Sequence, residues 1–148
     1  MTTFVGDFPC KVDVKGRIML PAAFKKQLSE AAQDTFVAKK DIFDKCLVLY
    51  PLDEWRRQNE IIRAKINTYN KDHNRFLREF YRGTAELVLD ATNRILLPKR
   101  LLDLVEIKSD VILAGQDGKI EIWSKSVYEN SILDQEEFER LAQDIMGK

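Results

Sequence analysis

Hydrophobic and polar positions along this chain fall into short blocks, and the blocks recur. Cys10–Val14 reads as an extended stretch leading into the polar turn Lys15-Gly16, with a second extended stretch at Ile18-Met19-Leu20. Pro21 stands where a proline opens a helix, which predicts a short helix over Ala22–Ala32. Two more strands follow at Phe36–Ala38 and Leu47–Tyr50. The same order returns later: extended Leu87–Leu89, turn Thr92-Asn93, extended Ile95–Leu97, Pro98, and a helix over Lys99–Val105. Strands at Val111–Ala114 and Lys119–Trp123 then flank the hairpin signal Gln116-Asp117-Gly118. Between the blocks, Trp55, Ile62, Ile66 and Tyr69 share one helical face, and Phe76, Leu77, Phe80 and Tyr81 share another, with Arg75, Arg78 and Arg82 among them. A last helical stretch is predicted over Val127–Ile145.

The recurrence has a fixed offset. Shifting the chain by 77 positions superposes Gly6 on Gly83 and brings Asp13-x-x-x-Arg17-Ile18-x-Leu20-Pro21 onto Asp90-x-x-x-Arg94-Ile95-x-Leu97-Pro98. A shift of 73 brings Leu47-Val48-Leu49-Tyr50 onto Ile120-Glu121-Ile122-Trp123, so the first copy has four more residues in its middle connection. Gly16 and Asn93 occupy the same turn position, and these two residue types best tolerate a positive φ. The chain divides into a repeat over 7–54, a helical insertion over 55–82, a second repeat over 83–126 and an acidic helix over 127–148. A unit of roughly 45 residues is too small to bury a sufficient core alone. The two repeats are therefore expected to pair their hairpins in one α+β unit with a shared β core.

Charge changes the picture once it is resolved along the chain. The 148 residues carry 24 Lys and Arg against 24 Asp and Glu, a balance that on its face argues against a nucleic-acid partner. The balance is uneven: residues 1–60 stand at +1, residues 61–105 at +4 and residues 106–148 at −5. Lys11, Lys15, Arg17, Lys25 and Lys26 are opposed only by Asp13, whereas Glu129, Asp134, Glu136, Glu137, Glu139 and Asp144 gather at the end. A counterion-releasing contact responds to the local patch, so a basic face is compatible with zero total charge. Charge runs are usually solvated faces of no further function, and taken alone the charge pattern favours that reading. Two separated cysteines, Cys10 and Cys46, read as core thiols of a reduced, intracellular protein. No apolar run approaches the ~20 residues of a membrane span, and Met1–Asp7 has neither a basic start nor an apolar signal core.

Catalytic chemistry finds little support. His73 is the sole histidine and lies in a polar helical run, so no triad or His-rich metal site is available. Gly115–Lys119 has the wrong spacing for a phosphate loop and reads as a turn. The sequence calls for no cofactor, no metal and no small-molecule substrate. Asp13 and Asp90 each precede an arginine by four positions, a spacing that lets the pair close across a turn, with no role beyond folding. The same spacing leaves Arg17 and Arg94 near a turn tip, with Lys11 and Lys15, or Lys99 and Arg100, close by. A guanidinium there suits bidentate contact with phosphate or a guanine edge. Three readings stay open: a DNA-binding regulator, a scaffold whose Asp–Arg pairs only hold turns, and, remotely, a hydrolase using the two carboxylates.

Gly6, the run Val12–Phe24, the run Leu49–Trp55 and the second Asp90–Pro98 motif together resemble the MraZ family. The resemblance extends from about Phe4 to Tyr128. It implies a swapped-hairpin, AbrB-like β core built from two tandem repeats, with added helices. It further implies a cytoplasmic, nucleoid-associated regulator that assembles into rings. Such a regulator binds repeated sites in double-stranded DNA at the promoter before the division and cell-wall genes, and represses it. The family's DNA-contacting motif falls on Asp13–Arg17 and Asp90–Arg94, with Arg17 and Arg94 as principal contacts, Lys15 supporting, and Lys11, Lys99 and Arg100 nearby. Two departures carry expectations of their own. Pro9-Cys10 is expected to bend the first strand, and Thr92, in place of a Lys, is expected to leave the first motif dominant in affinity.

Overall fold

The computed structural model describes residues 3–147; Met1, Thr2 and Lys148 lie outside the described residues. The first repeat forms β1 (Asp7–Lys11), β2 (Arg17–Met19), α1 (Ala22–Gln27), β3 (Thr35–Lys40) and β4 (Leu47–Pro51). After α2 (Leu52–Lys65) and α3 (Lys71–Tyr81), the second repeat forms β5 (Ala85–Val88), β6 (Arg94–Leu96), α4 (Lys99–Leu104), β7 (Asp110–Gln116) and β8 (Lys119–Ser124). α5 (Lys125–Asn130) and α6 (Gln135–Met146) complete the order. No helix among the described residues is long and apolar enough to cross a membrane.

Strand order shows how the repeats share their core. The larger sheet runs β1-β7-β8-β4-β3-β5, and β2 pairs with β6 in a separate two-stranded ribbon. Exchanging each strand for its counterpart in the other repeat and reading backwards returns the same order, which is the signature of a pseudo-twofold axis. Only β3–β4 and β7–β8 pair within a repeat; β1–β7, β3–β5, β4–β8 and β2–β6 all cross between repeats. This is the α+β swapped-hairpin core. Ile18, Leu20 and Leu49 of one repeat meet Ile95, Leu97, Leu113 and Ile122 of the other around the axis. None is more than 3% exposed, so each repeat supplies half of a core that neither closes alone.

Register locates the extra residues of the first repeat. Phe36 pairs with Pro51, and Val111 with Ser124, so β3 maps to β7 at an offset of 75 and β4 to β8 at 73. Two of the additional residues therefore precede β3, beside the 3-10 turn Glu30–Ala32, and two lengthen the β3–β4 loop.

Several expectations are corrected. The helix expected over Ala22–Ala32 stops at Gln27, because Leu28 turns extended and Ser29 leaves the helix to donate to Asp53 Oδ2 at 2.8 Å. Ile66 and Tyr69 fall outside α2, which already begins at Leu52. Asn70 ends the intervening loop by capping α3 through the backbone N–H groups of Asp72 and His73. The acidic stretch is two helices: Ser131 Oγ donates to the Tyr128 carbonyl at 2.6 Å, and Asp134 caps α6 through Glu137 N–H at 2.8 Å. Pro9 does not bend β1, whose pairing with β7 runs unbroken from Asp7 to Lys11. β1 is an edge strand, where the missing proline N–H interrupts no ladder. The strand ends at Lys11 instead of continuing to Val14, so β1 and β2 diverge into different sheets and do not form a hairpin.

Candidate nucleic-acid interface

Each D-x-x-x-R motif closes a tight corner between the two sheets. In the first, Gly16 N–H donates to the Asp13 carbonyl and Asp13 N–H to the Arg17 carbonyl, both at 3.0 Å. Asp13 Oδ1 accepts from the backbone N–H of Lys15 and of Arg17, each at 2.9 Å, and Oδ2 accepts from Arg17 Nε at 2.7 Å. The Arg17 backbone N–H does most to hold the Asp13 carboxyl below the usual aspartate range, against a partial desolvation that raises it; the Arg17 side chain and Lys15 N–H assist. The second corner repeats the backbone pattern: Asn93 N–H donates to the Asp90 carbonyl at 3.0 Å, and Asp90 N–H to the Arg94 carbonyl at 2.9 Å. Gly16 at φ +93° and Asn93 at φ +61° take the same left-handed position.

The corners differ in one respect. Asp90 Oδ1 accepts from Thr92 N–H and Thr92 Oγ1, both at 2.8 Å, and from Arg94 N–H at 2.9 Å. The Arg94 backbone N–H and then the Thr92 hydroxyl are the main causes of its lowered pKa. No ion pair joins Arg94 to a carboxylate among the described residues, whereas Arg17 is paired with Asp13. The residue that removes a positive charge from the second turn thus adds a hydroxyl donor to Asp90 Oδ1, whereas Arg17 in the first turn is held by the other carboxylate oxygen, Asp13 Oδ2.

The β2–β6 ribbon sets the two corners side by side. Arg17 lies opposite Leu96, Ile18 opposite Ile95, and Met19 opposite Arg94. Leu97 N–H donates to the Gly16 carbonyl and Leu20 N–H to the Asn93 carbonyl, each at 2.9 Å, so each turn is stitched to the other repeat. Ile18 and Ile95 face the core at 2% exposure, and alternation turns Arg17, Met19, Arg94 and Leu96 to the opposite face. Arg17 and Arg94 are diagonal neighbours there, a relation that typically places residues ~7–8 Å apart.

The other basic candidates are engaged elsewhere. Lys11 on β1 pairs with Asp110 at 3.3 Å, and Lys99 with Asp103 at 3.1 Å. Arg100 Nη1 donates to the Gly83 carbonyl at 2.7 Å and anchors the entry to β5. The ribbon therefore unites Asp13, Lys15, Arg17, Asp90 and Arg94, while Lys11, Lys99 and Arg100 each have a local partner. The motif reading passed over Met19 and Leu96, which stand 51% and 55% exposed beside the arginines. Their signal was the period-two alternation around Ile18 and Ile95. His73 is half-buried, and its Nδ1 accepts from Asn67 N–H at 2.9 Å ahead of α3. Cys46 is fully buried and Cys10 half-buried, and both thiols are free.

Comparison with known proteins agrees with this architecture. A family model described as "MraZ protein, putative antitoxin-like" matches twice in tandem, over residues 3–79 and 80–145. A Flavobacterium psychrophilum protein named transcriptional regulator MraZ is 42% identical over 99% of this chain and 94% of its own length. A protein of the same name from Phocaeicola vulgatus is 40% identical over 97% and 94%, and one from Cytophaga hutchinsonii 33% over 97% and 94%. Two family matches on a chain whose strands interleave two copies of one unit establish that it belongs to the MraZ family.

Proposed function

We propose that this chain is a sequence-specific, double-stranded-DNA-binding transcriptional regulator that represses the promoter preceding the division and cell-wall genes as a multivalent homo-oligomer. The observation that carries the reading is the β2–β6 ribbon, which presents Arg17 and Arg94 from two closed turns on one exposed face. A two-stranded ribbon is narrow enough for the major groove, where guanidinium groups reach guanine O6 and N7 or the flanking phosphates. Arg17 and Arg94 are the principal contacts and Lys15 a phosphate contact, each repeat (7–54 and 83–126) presenting one turn. Asp13 and Asp90 position the turns without touching DNA, and Lys11 on β1 and Lys99 and Arg100 on α4 contribute at the margin because they lie outside the ribbon. One ribbon neutralises few phosphates and binds weakly by itself. Several ribbons at fixed spacing on an oligomer engage several repeats at once, which raises avidity without new contacts.

The scaffold alternative has one observation in its favour, the Arg17–Asp13 pair at 2.7 Å, which fixes the first turn whether or not DNA is bound. The two readings separate in a titration of the native promoter fragment and a random duplex at several salt concentrations. The regulator prefers the promoter, and Arg17→Ala or Arg94→Ala each weakens binding by about 1–3 kcal/mol with a shallower salt slope. Equal binding of both duplexes, or an unchanged double variant, refutes the assignment. Native mass measurement tests the oligomer, and a monomer removes the avidity mechanism.

A further inference from the structure

The outer face of the β2–β6 ribbon carries two side chains that the arginine contacts do not use. Met19 and Leu96 are 51% and 55% exposed on a face whose reverse, Ile18 and Ile95, is buried. Strand alternation ordinarily sets polar residues on a solvent face. Here register interleaves them with the cations: Met19 lies directly opposite Arg94, and Leu96 directly opposite Arg17. The pseudo-twofold axis thus generates a four-residue patch with arginines on one diagonal and apolar groups on the other. An apolar surface flanked by guanidinium groups fits a partner that alternates anionic or acceptor-rich sites with small methyl groups. The major groove of DNA has that chemistry, since guanine offers O6 and N7 while thymine alone presents a C5-methyl.

We propose that Met19 and Leu96 are specificity-determining residues that contact thymine methyl groups, an inference that rests on the DNA-binding reading of the same ribbon. Arg17 and Met19 are two positions apart on one strand, which separates them by ~7 Å. That distance spans about two base-pair steps at 3.4 Å each. The preferred half-site accordingly holds a guanine and a thymine within about two steps of each other. The second half-site repeats the pair with the strands exchanged, because Arg94 and Leu96 repeat the arrangement through the axis.

The test selects duplexes from a random-sequence library with the full-length protein, then remakes the preferred duplex with dU at every dT. That exchange removes only the methyl groups and leaves base pairing intact. Wild-type protein should bind the dU duplex roughly fourfold more weakly per contacted methyl, the loss expected for about one buried methyl group. The Met19→Ala/Leu96→Ala variant should bind the dT duplex as weakly as wild type binds dU, and lose nothing further on dU. Equal losses for the variant on both duplexes, or no effect of dU on wild type, overturn the methyl contact while leaving DNA recognition by Arg17 and Arg94 standing. A variant whose native mass changes along with its affinity shows the apolar pair covered by a second copy of the chain, and also overturns the proposal. Selection that recovers no preferred sequence overturns both this inference and the regulator reading. Both residues are exposed, and a thermal melt matching wild type verifies that the variant is folded.

Discussion

Gly16→Ala should destabilise the protein well beyond the equivalent change in the other repeat. Gly16 has φ +93°, and an added Cβ would stand 3.0 Å from the Leu97 carbonyl oxygen. The Gly16 carbonyl accepts from Leu97 N–H at 2.9 Å, so a shift that relieves the clash stretches a bond joining the two repeats. A Cβ in the left-handed region costs about 1–2 kcal/mol, and a weakened hydrogen bond about 1 kcal/mol more. The expected loss is therefore about 2–3 kcal/mol, which for a chain of this size lowers the melting temperature by about 4–12 °C. Asn93 provides the internal control. Its φ of +61° lies inside the region asparagine already tolerates, so Asn93→Gly should change stability by no more than ~0.5 kcal/mol and Asn93→Ala by ~1 kcal/mol. Urea unfolding of the three variants at one protein concentration measures the series. A Gly16→Ala midpoint equal to that of Asn93→Ala refutes the claim that backbone geometry is what Gly16 supplies.

Other substitutions probe the same packing. Gly115→Ala would place a Cβ 2.4 Å from the Phe4 carbonyl oxygen, so the segment anchored by buried Phe4 must move, at about 1–3 kcal/mol. Faster proteolysis ahead of β1 is the direct readout. Lys39 is 4% exposed with its Nζ 4.2 Å from the Phe80 ring centroid, and burial pushes its pKa down. Lys39→Met should therefore stabilise the fold by roughly 1 kcal/mol at neutral pH, the gain shrinking as alkaline pH deprotonates the native lysine. The Asp13 and Asp90 carboxyls are held below their ordinary values, so their contribution is complete above about pH 3.9, the unfolded value, and is lost as pH falls through the lower folded values. Melts of wild type against an Asp13→Asn/Asp90→Asn variant should converge only below that pH; a difference independent of pH there contradicts the turn chemistry.

Local chemistry makes the repeated unit legible in the sequence. Proline before a helix, Gly16 or Asn93 at a positive φ, and alternation around Ile18 and Ile95 each act within a few residues, so they could be read from neighbours. Partner choice could not, because β1 has the same half-buried alternation whichever strand it joins. Its pairing with β7 is fixed only when Phe8 and Cys10 pack against a core assembled from both repeats. Helix ends failed for the converse reason. Ser29, Asn70 and Asp134 are cap-forming residues, yet side-chain periodicity ran straight across Leu28, Ile66 and Leu133. At the site, the Asp–Arg pair was legible in the first motif. The different contacts of the second were not, since Asp90 has the same spacing to its arginine and differs in the Thr92 hydroxyl that its Oδ1 accepts.

The swap also explains why the basic patch has to be read across repeats rather than along them. Arg17 and Arg94 are 77 positions apart, and neither has a second arginine on its own strand. Either repeat alone would leave β2 or β6 unpaired, with a single guanidinium beside a single apolar side chain. Pairing the strands antiparallel sets each arginine against the other repeat's apolar residue and ties each turn to the other repeat through Leu20 or Leu97. The same pairing that closes the core therefore composes the exposed face. A substitution that loosens the axis, such as Leu97→Ala, should weaken both turns at once, although it touches neither arginine.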